Sequence, residues 1–90
     1  MIFQLMNDST GFEVVQDEQQ LGYIKWTLDD DIMIMNGTFV DESLRGQDVA
    51  LNLLDLAAEY ARQNDYKMKA VCSYVVKMFE RSDRYDDVKI

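Results

Sequence analysis

The sequence contains no proline and no histidine, and its 90 residues include one cysteine and four glycines. Without proline, turns rest on Gly, Asn, Asp and Ser. A single cysteine excludes an internal disulfide framework and fits a reducing compartment. With no histidine and one thiol, a structural zinc site lacks its ligand set. No run is long and apolar enough to cross a bilayer, so no membrane partner is expected. The opening stretch Met1 to Asp8 has no basic region and no cleavage pattern, so a cytoplasmic chain without a signal peptide is expected. Basic residues are scarce, nine Lys and Arg against seventeen Asp and Glu, for a net charge of −8. Nucleic-acid binding needs a basic face that neutralises phosphates, and this balance argues against it.

The charge is uneven. Residues 1–61 carry two basic side chains (Lys25, Arg45) and twelve acidic ones, a net of −10, whereas residues 62–90 carry a net of +2. A polyanionic cofactor would favour the second part and a cationic substrate the first. A chain of this length makes one domain, 1–90, with a small core.

Hydrophobic alternation predicts four short strands: Ile2 to Met6, Phe12 to Gln16, Leu21 to Leu28 and Ile32 to Val40. Polar turns at Asn7 to Gly11, Asp17 to Gln20 and Asp29 to Asp31 separate them, giving an antiparallel meander. In the fourth strand the period places Ile32, Ile34, Asn36, Thr38 and Val40 on one face and Met33, Met35, Gly37 and Phe39 on the other. Three successive aspartates on a tight turn cannot converge on one ion, so no metal is assigned there. Trp26 and the methionines Met33, Met35, Met68 and Met78 read as core filling.

A long amphipathic helix follows. Val49, Leu53, Leu56, Ala57, Tyr60 and Ala61 form its apolar face, and Asp48, Asn52, Asp55, Glu59 and Arg62 its polar stripe. Met68 to Val75 reads as a fifth strand, parallel to the fourth because a helix connects them. Val76 to Arg81 reads as a short second helix, and the remaining tail has Tyr85 and Val88 to pin it. The expected fold is therefore α/β: a mostly antiparallel five-stranded sheet with one long helix on a face.

Between the fourth strand and the helix lies Leu44-Arg45-Gly46-Gln47-Asp48-Val49-Ala50. A strand feeding a glycine turn at a helix start is a candidate anion cradle, because the first helical N–H groups lack partners and the dipole is positive there. Arg45 adds a permanent cation. The turn is thus shaped for the pyrophosphate of a nucleotide-like cofactor.

The meander, the Arg45-Gly46-Gln47-Asp48-Val49-Ala50 turn, the helix and the run Cys72-Ser73-Tyr74-Val75 together resemble the GNAT acetyltransferases, and among them the short single-module proteins with a Cys-Ser-Tyr-Val or Cys-Ser-Phe signature. The resemblance implies acetyl-CoA as co-substrate, held in a V-shaped gap where the fourth and fifth strands splay. It implies that Phe39 and Val40 meet the pantetheine amides and that Arg45, Gly46, Gln47, Asp48, Val49 and Ala50 hold the pyrophosphate. Cys72, Ser73 and Tyr74 would line the reactive end, with Lys77 and Arg81 reaching toward phosphates. Two residues depart from the family pattern: Gly37 stands where the family has histidine, and Asp48 where it has a second glycine.

Each site residue also has a simpler role. Asp48 in a first turn complements the dipole and caps free N–H groups, yet its charge would repel a phosphate. Cys72 as nucleophile or proton carrier competes with Cys72 as a small buried apolar residue. Tyr74 as proton donor to the leaving thiolate competes with Tyr74 as a core aromatic, and Arg45 with a solvated loop arginine. The expected activity is acetyl transfer from acetyl-CoA to a cationic amine, a polyamine or a protein lysine, by a monomer or weak dimer. The rival is a non-catalytic acyl-CoA-binding or protein-interaction module on the same fold.

Overall fold

The computed structural model describes residues 1–90. Five strands form one sheet in chain order: β1 (Ile2–Leu5), β2 (Gly11–Gln16), β3 (Gln19–Asp29), β4 (Ile32–Val40) and β5 (Lys67–Ala70). The first four pair antiparallel, and β5 lies parallel to β4. Helix α1 (Val49–Gln63) links β4 to β5, and α2 (Ser73–Arg81) follows β5. This is the α/β arrangement expected above.

Acidic residues shape the hairpins. Asp17 and Glu18 both hold positive φ, +52° and +65°, as a tight two-residue connection that follows strand twist requires. Asp30, at φ +52°, does the same between β3 and β4. The acidic triplet at 29–31 thus belongs to the end of β3 and this turn.

Burial follows the alternation until the sheet is interrupted. Val14, Ile24, Trp26, Met33, Met35 and Met68 face α1 and are buried. The register of β4 against β3 shifts between Lys25 and Trp26: Lys25 pairs with Gly37, but Trp26 pairs with Met35. Asn36 is the extra residue, a β-bulge that reverses the facing of everything after it. Thr38, paired with buried Ile24, lies on the helix side, with Gly37 and Phe39 on the other. Simple alternation therefore assigns Gly37 and Phe39 to the wrong companions.

The helix packs by small residues. Val49, Leu53, Ala57 and Ala61 make an i, i+4 line, flanked by Leu54 and Ala58, and all are buried. Alanines let the helix axis come close to the strands. Leu56 and Tyr60, expected on the core face, are half-buried at its margin. Tyr60 packs on Trp26 with ring centroids 5.3 Å apart. Asn64 ends the helix, its side-chain amide donating to the Tyr60 carbonyl at 2.8 Å.

The tail is docked as Tyr85 and Val88 suggest, both fully buried in the same core. The Tyr85 hydroxyl donates to Asp55 on α1 at 2.7 Å, and Arg84 donates to the other Asp55 oxygen at 2.9 Å. Arg62 grips Asp87 with two bonds, 2.7 and 3.0 Å. The backbone of Val88 and Ile90 bonds Met68, so the tail lies along the outer edge of β5.

Tyr85→Ala is expected to cost about 3–5 kcal/mol, the usual loss for a buried aromatic, and Tyr85→Phe about 1–2 kcal/mol for the lost hydrogen bond; urea unfolding of both variants checks the pair. The Arg62 guanidinium holds the Asp87 carboxyl below its ordinary value. Its stabilising contribution is therefore complete above the unfolded aspartate pKa of about 3.9 and is lost as pH falls through the lower folded value. Thermal unfolding between pH 6 and 3 should show a shallower decline in Arg62→Met than in the parent.

Candidate functional site

The site begins where β4 and β5 part. They stay in register from Ile32 and Lys67 to Met35 and Ala70. The Met35 carbonyl then accepts from both Val71 and Cys72, at 3.3 and 3.0 Å. Cys72, extended at φ −70° and ψ 146°, is the cap of α2, and β4 runs on to Val40 without a neighbour on that side. The fifth strand is thus shorter than the Met68 to Val75 expected, and Ser73-Tyr74-Val75 opens a helix. The reason is tertiary. Two valines and a tyrosine favour a strand locally, but Val75 and Phe79, one turn apart, are both buried.

Beyond the split, β4 offers backbone to the gap. Asp41 N–H donates to the Leu21 carbonyl at 2.7 Å, so Asp41 points toward β3. Alternation puts Phe39 the same way and turns the N–H and C=O groups of Thr38 and Val40 outward. Of the two residues expected to meet pantetheine, Val40 borders the gap. Phe39 does not: its ring stacks on Tyr23 on the far face. Thr38, which the strand pattern did not single out, puts Oγ1 3.4 Å from Cys72 Sγ at the apex of the V.

The turn into α1 forms the second wall. Asp41 accepts from the Ser43 N–H and hydroxyl, at 3.0 and 2.6 Å, and starts a short 3-10 turn, Glu42–Leu44. Buried Leu44 anchors that turn. Gly46 follows at φ +83°, where a side chain is disfavoured. Asp48 caps α1 at φ 57° and ψ 28°, left-handed, and its carboxylate makes no capping bond. The expected capping role of Asp48 is therefore not what the geometry shows, because the left-handed backbone carries the side chain away from the first-turn amides. Asn52 N–H to Asp48 O, 2.9 Å, is the first rung of α1, and the N–H groups from Gly46 to Leu51 bond no acceptor in the chain.

Between these walls lies a cavity of about 260 Å³. Val40, Leu44, Val49 and Leu51 give it apolar sides; Arg45, Gly46, Asp48 and Ala50 line the turn end, and Tyr74 closes it from α2. Arg45 forms no ion pair within the chain. Partial burial, then the charges of Asp55 and Asp48, push the Tyr74 phenol above its ordinary value, so it stays protonated at neutral pH. Gln47, Ser73 and Lys77 are exposed and outside the cavity lining. Arg81 sits at the opposite end of α2, about 12 Å along the helix from Ser73. Leu44 and Leu51 are contributors that sequence reasoning missed; an apolar residue on each side of the glycine turn was the available signal.

A split parallel pair beside a cradle of free amides defines a class, and the chain belongs to it: residues 11–88 match the GCN5-related N-acetyltransferase family. Solved structures agree. A GCN5-like candidate N-acetyltransferase from Staphylococcus aureus, determined by NMR, superposes with a TM-score of 0.81 at 28% identity over 99% of this chain and 87% of that one. The aminoglycoside N-acetyltransferase AAC(6')-Iy, solved with CoA, gives a TM-score of 0.59 at 16% identity over 79% of this chain and 63% of its own. Ribosomal-protein-alanine N-acetyltransferase from Brucella melitensis gives 0.59 at 16% identity over 96% of this chain and 66% of its own. These last two share the fold, and the chain spans about two thirds of their length or less. No curated protein sequence matches the chain.

Two substitutions check the turn. Gly46→Ala should cost about 1 kcal/mol for its left-handed backbone, whereas Asp48→Gly should be neutral to stabilising by up to about 1 kcal/mol; urea midpoints measure both.

Proposed function

We propose that this chain is a single-module N-acetyltransferase, its domain spanning 1–90, that moves an acetyl group from acetyl-CoA to an amine. The observation that carries the reading is the gap beyond Met35 and Ala70, bordered by the free amides of Gly46 to Leu51. Outward backbone groups of Thr38 and Val40 present a ladder edge suited to the amides of a pantetheine arm. The Gly46 to Leu51 amides, the positive end of α1 and Arg45 suit a pyrophosphate. Gln47 lies on that turn, and Ser73 and Lys77 on the first turns of α2 offer a hydroxyl and an ammonium at its rim. Apolar Val49 and Ala50 let the backbone approach closely.

At the reactive end the amine nitrogen attacks the thioester carbonyl directly, in a ternary complex. Tyr74, kept protonated by its surroundings, supplies the proton the departing thiolate takes. Cys72, held by Thr38, lines the apex. No imidazole is near, since Gly37 occupies the strand position, and the Ser43 hydroxyl and N–H keep the Asp41 carboxyl low, which makes it a poor base. Deprotonation of the amine therefore falls to solvent, and turnover should rise with pH. The net −10 of residues 1–61 favours a cationic acceptor, a polyamine or a protein lysine.

Asp48 sets the affinity. A carboxylate on the cradle costs an incoming phosphate on the order of 1–4 kcal/mol. Calorimetric titration with acetyl-CoA should therefore show weak binding by the parent and binding about tenfold or more tighter by Asp48→Gly. Absence of binding by both forms, or thiol release that stays blank with every amine offered, would refute the reading. Cys72→Ser should retain turnover within a few-fold; its abolition would indicate an acyl-cysteine route instead.

A further inference from the structure

Two helix starts border the cavity, α1 with Asp48 to Leu51 and α2 with Tyr74. What fixes one helix against the other decides where the Tyr74 phenol lies. No hydrogen bond or ion pair runs directly between α1 and α2. They share apolar packing in the core, which is non-directional. The specific contacts pass through the tail. Buried Tyr85 touches both helices: its hydroxyl donates to Asp55 on α1 at 2.7 Å, and its ring packs on Phe79 of α2 with centroids 5.3 Å apart. Arg84 donates to the other Asp55 oxygen at 2.9 Å, and Lys89 Nζ donates to the Phe79 carbonyl at 3.0 Å. Asp55 stands four residues past Leu51, so it lies on the same side of α1 as that cavity residue, about 6 Å further along. Burial first, and then the Asp55 charge, keep the proton on the Tyr74 phenol.

We propose that Tyr85 is a positioning residue for acetyl transfer: anchored on Asp55, it ties α2 to α1 and keeps the Tyr74 hydroxyl directed into the cavity. The proposal rests on the acetyl-transfer reading above and extends its site to the docked tail. Tyr85 is not among the residues that line the cavity, so it acts only through its neighbours. A phenol that protonates a departing thiolate needs hydrogen-bond reach, and a displacement of about 1 Å removes it. Cofactor binding has a different basis. The amides of Gly46 to Leu51 and the free edge of β4 bond nothing in the tail. Loss of the Tyr85 bond therefore lowers turnover and spares the affinity for acetyl-CoA.

The test follows thiol release from acetyl-CoA, with spermidine or a lysine-containing peptide as the amine, well below the unfolding temperature of every variant. Tyr85→Phe keeps the ring and loses only the bond to Asp55. Its kcat is expected to fall about five- to tenfold, with KM for acetyl-CoA unchanged within about twofold. In the Tyr74→Phe background the same change should cost nothing further, because the phenol it positions is already gone. Lys67→Met, which frees the tail at Asp87 instead, should leave kcat unchanged. A second arm needs no cofactor: an NMR titration of the Tyr74 Cζ. The groups that face this phenol are Asp48 and Asp55 from α1, Cys72 from the cap of its own helix, and Tyr85, beside Arg84, from the tail. Asp55→Ala removes a like charge, so the phenol should ionise at a pH lower by about half a unit or more. Equal losses from Tyr85→Phe in both backgrounds, a rise in KM that matches the fall in kcat, or a Tyr74 titration indifferent to Asp55→Ala would overturn the proposal. A titration that moves as expected, with no thiol release from either amine, sinks acetyl transfer and leaves the tie between tail and Tyr74; thiol release with an indifferent titration does the reverse.

Discussion

One carbonyl oxygen ends the parallel ladder. Met35 accepts two successive amides, from Val71 and Cys72, and the second breaks the alternation that a regular rung requires. One residue later the Asn36 bulge bends β4, while Cys72 turns its own strand into α2. Both partners are thus directed apart at the same level. Behind them Met33, Met35 and Met68 fill the core and hold the paired part closed. The gap is therefore a consequence of how the sheet is terminated, and needs no separate element to prop it open.

Two helix starts converge on that gap. Each leaves first-turn amides without acceptors, α1 from Gly46 to Leu51 and α2 at its Cys72 end. Their dipoles add positive potential to a chain that is otherwise strongly negative. Asp48 works against this, placing a carboxylate on the lining, while Arg45 works for it. Charges of both signs thus meet on one lining in a molecule that is acidic as a whole.

Much of this was legible in the sequence. Strict alternation and polar turns located the strands, with β4 falling at Ile32–Val40 as read, and the i, i+4 line Val49, Leu53, Ala57 and Ala61 marked α1. The helix between two strands implied the parallel fifth one. Of the residues singled out, Val40, Arg45, Gly46, Asp48, Val49, Ala50 and Tyr74 line one cavity. The misreadings share a physical origin. A bulge leaves no mark in composition, so alternation put Phe39 on the face of Met33 and Met35 when its ring lies on the other. Cys-Ser-Tyr-Val has strand-forming residues, and the burial of Val75 and Phe79 in the core, one turn apart, makes the run after Cys72 helical. The left-handed backbone of Asp48 depends on the Gly46 turn before it, so its side chain could not be aimed from residue type alone.

The docked tail has a consequence for assembly. By bonding Val88 and Ile90 to Met68, it occupies the outer margin of β5. The opposite margin, β1, remains bare, with Ile2 and Leu5 exposed. A sheet with one blocked and one bare margin can be lengthened from a single end. Two copies joined back to back there would leave no outer strand to recruit a third, so strand pairing ends at a closed couple and cannot run on into a fibre.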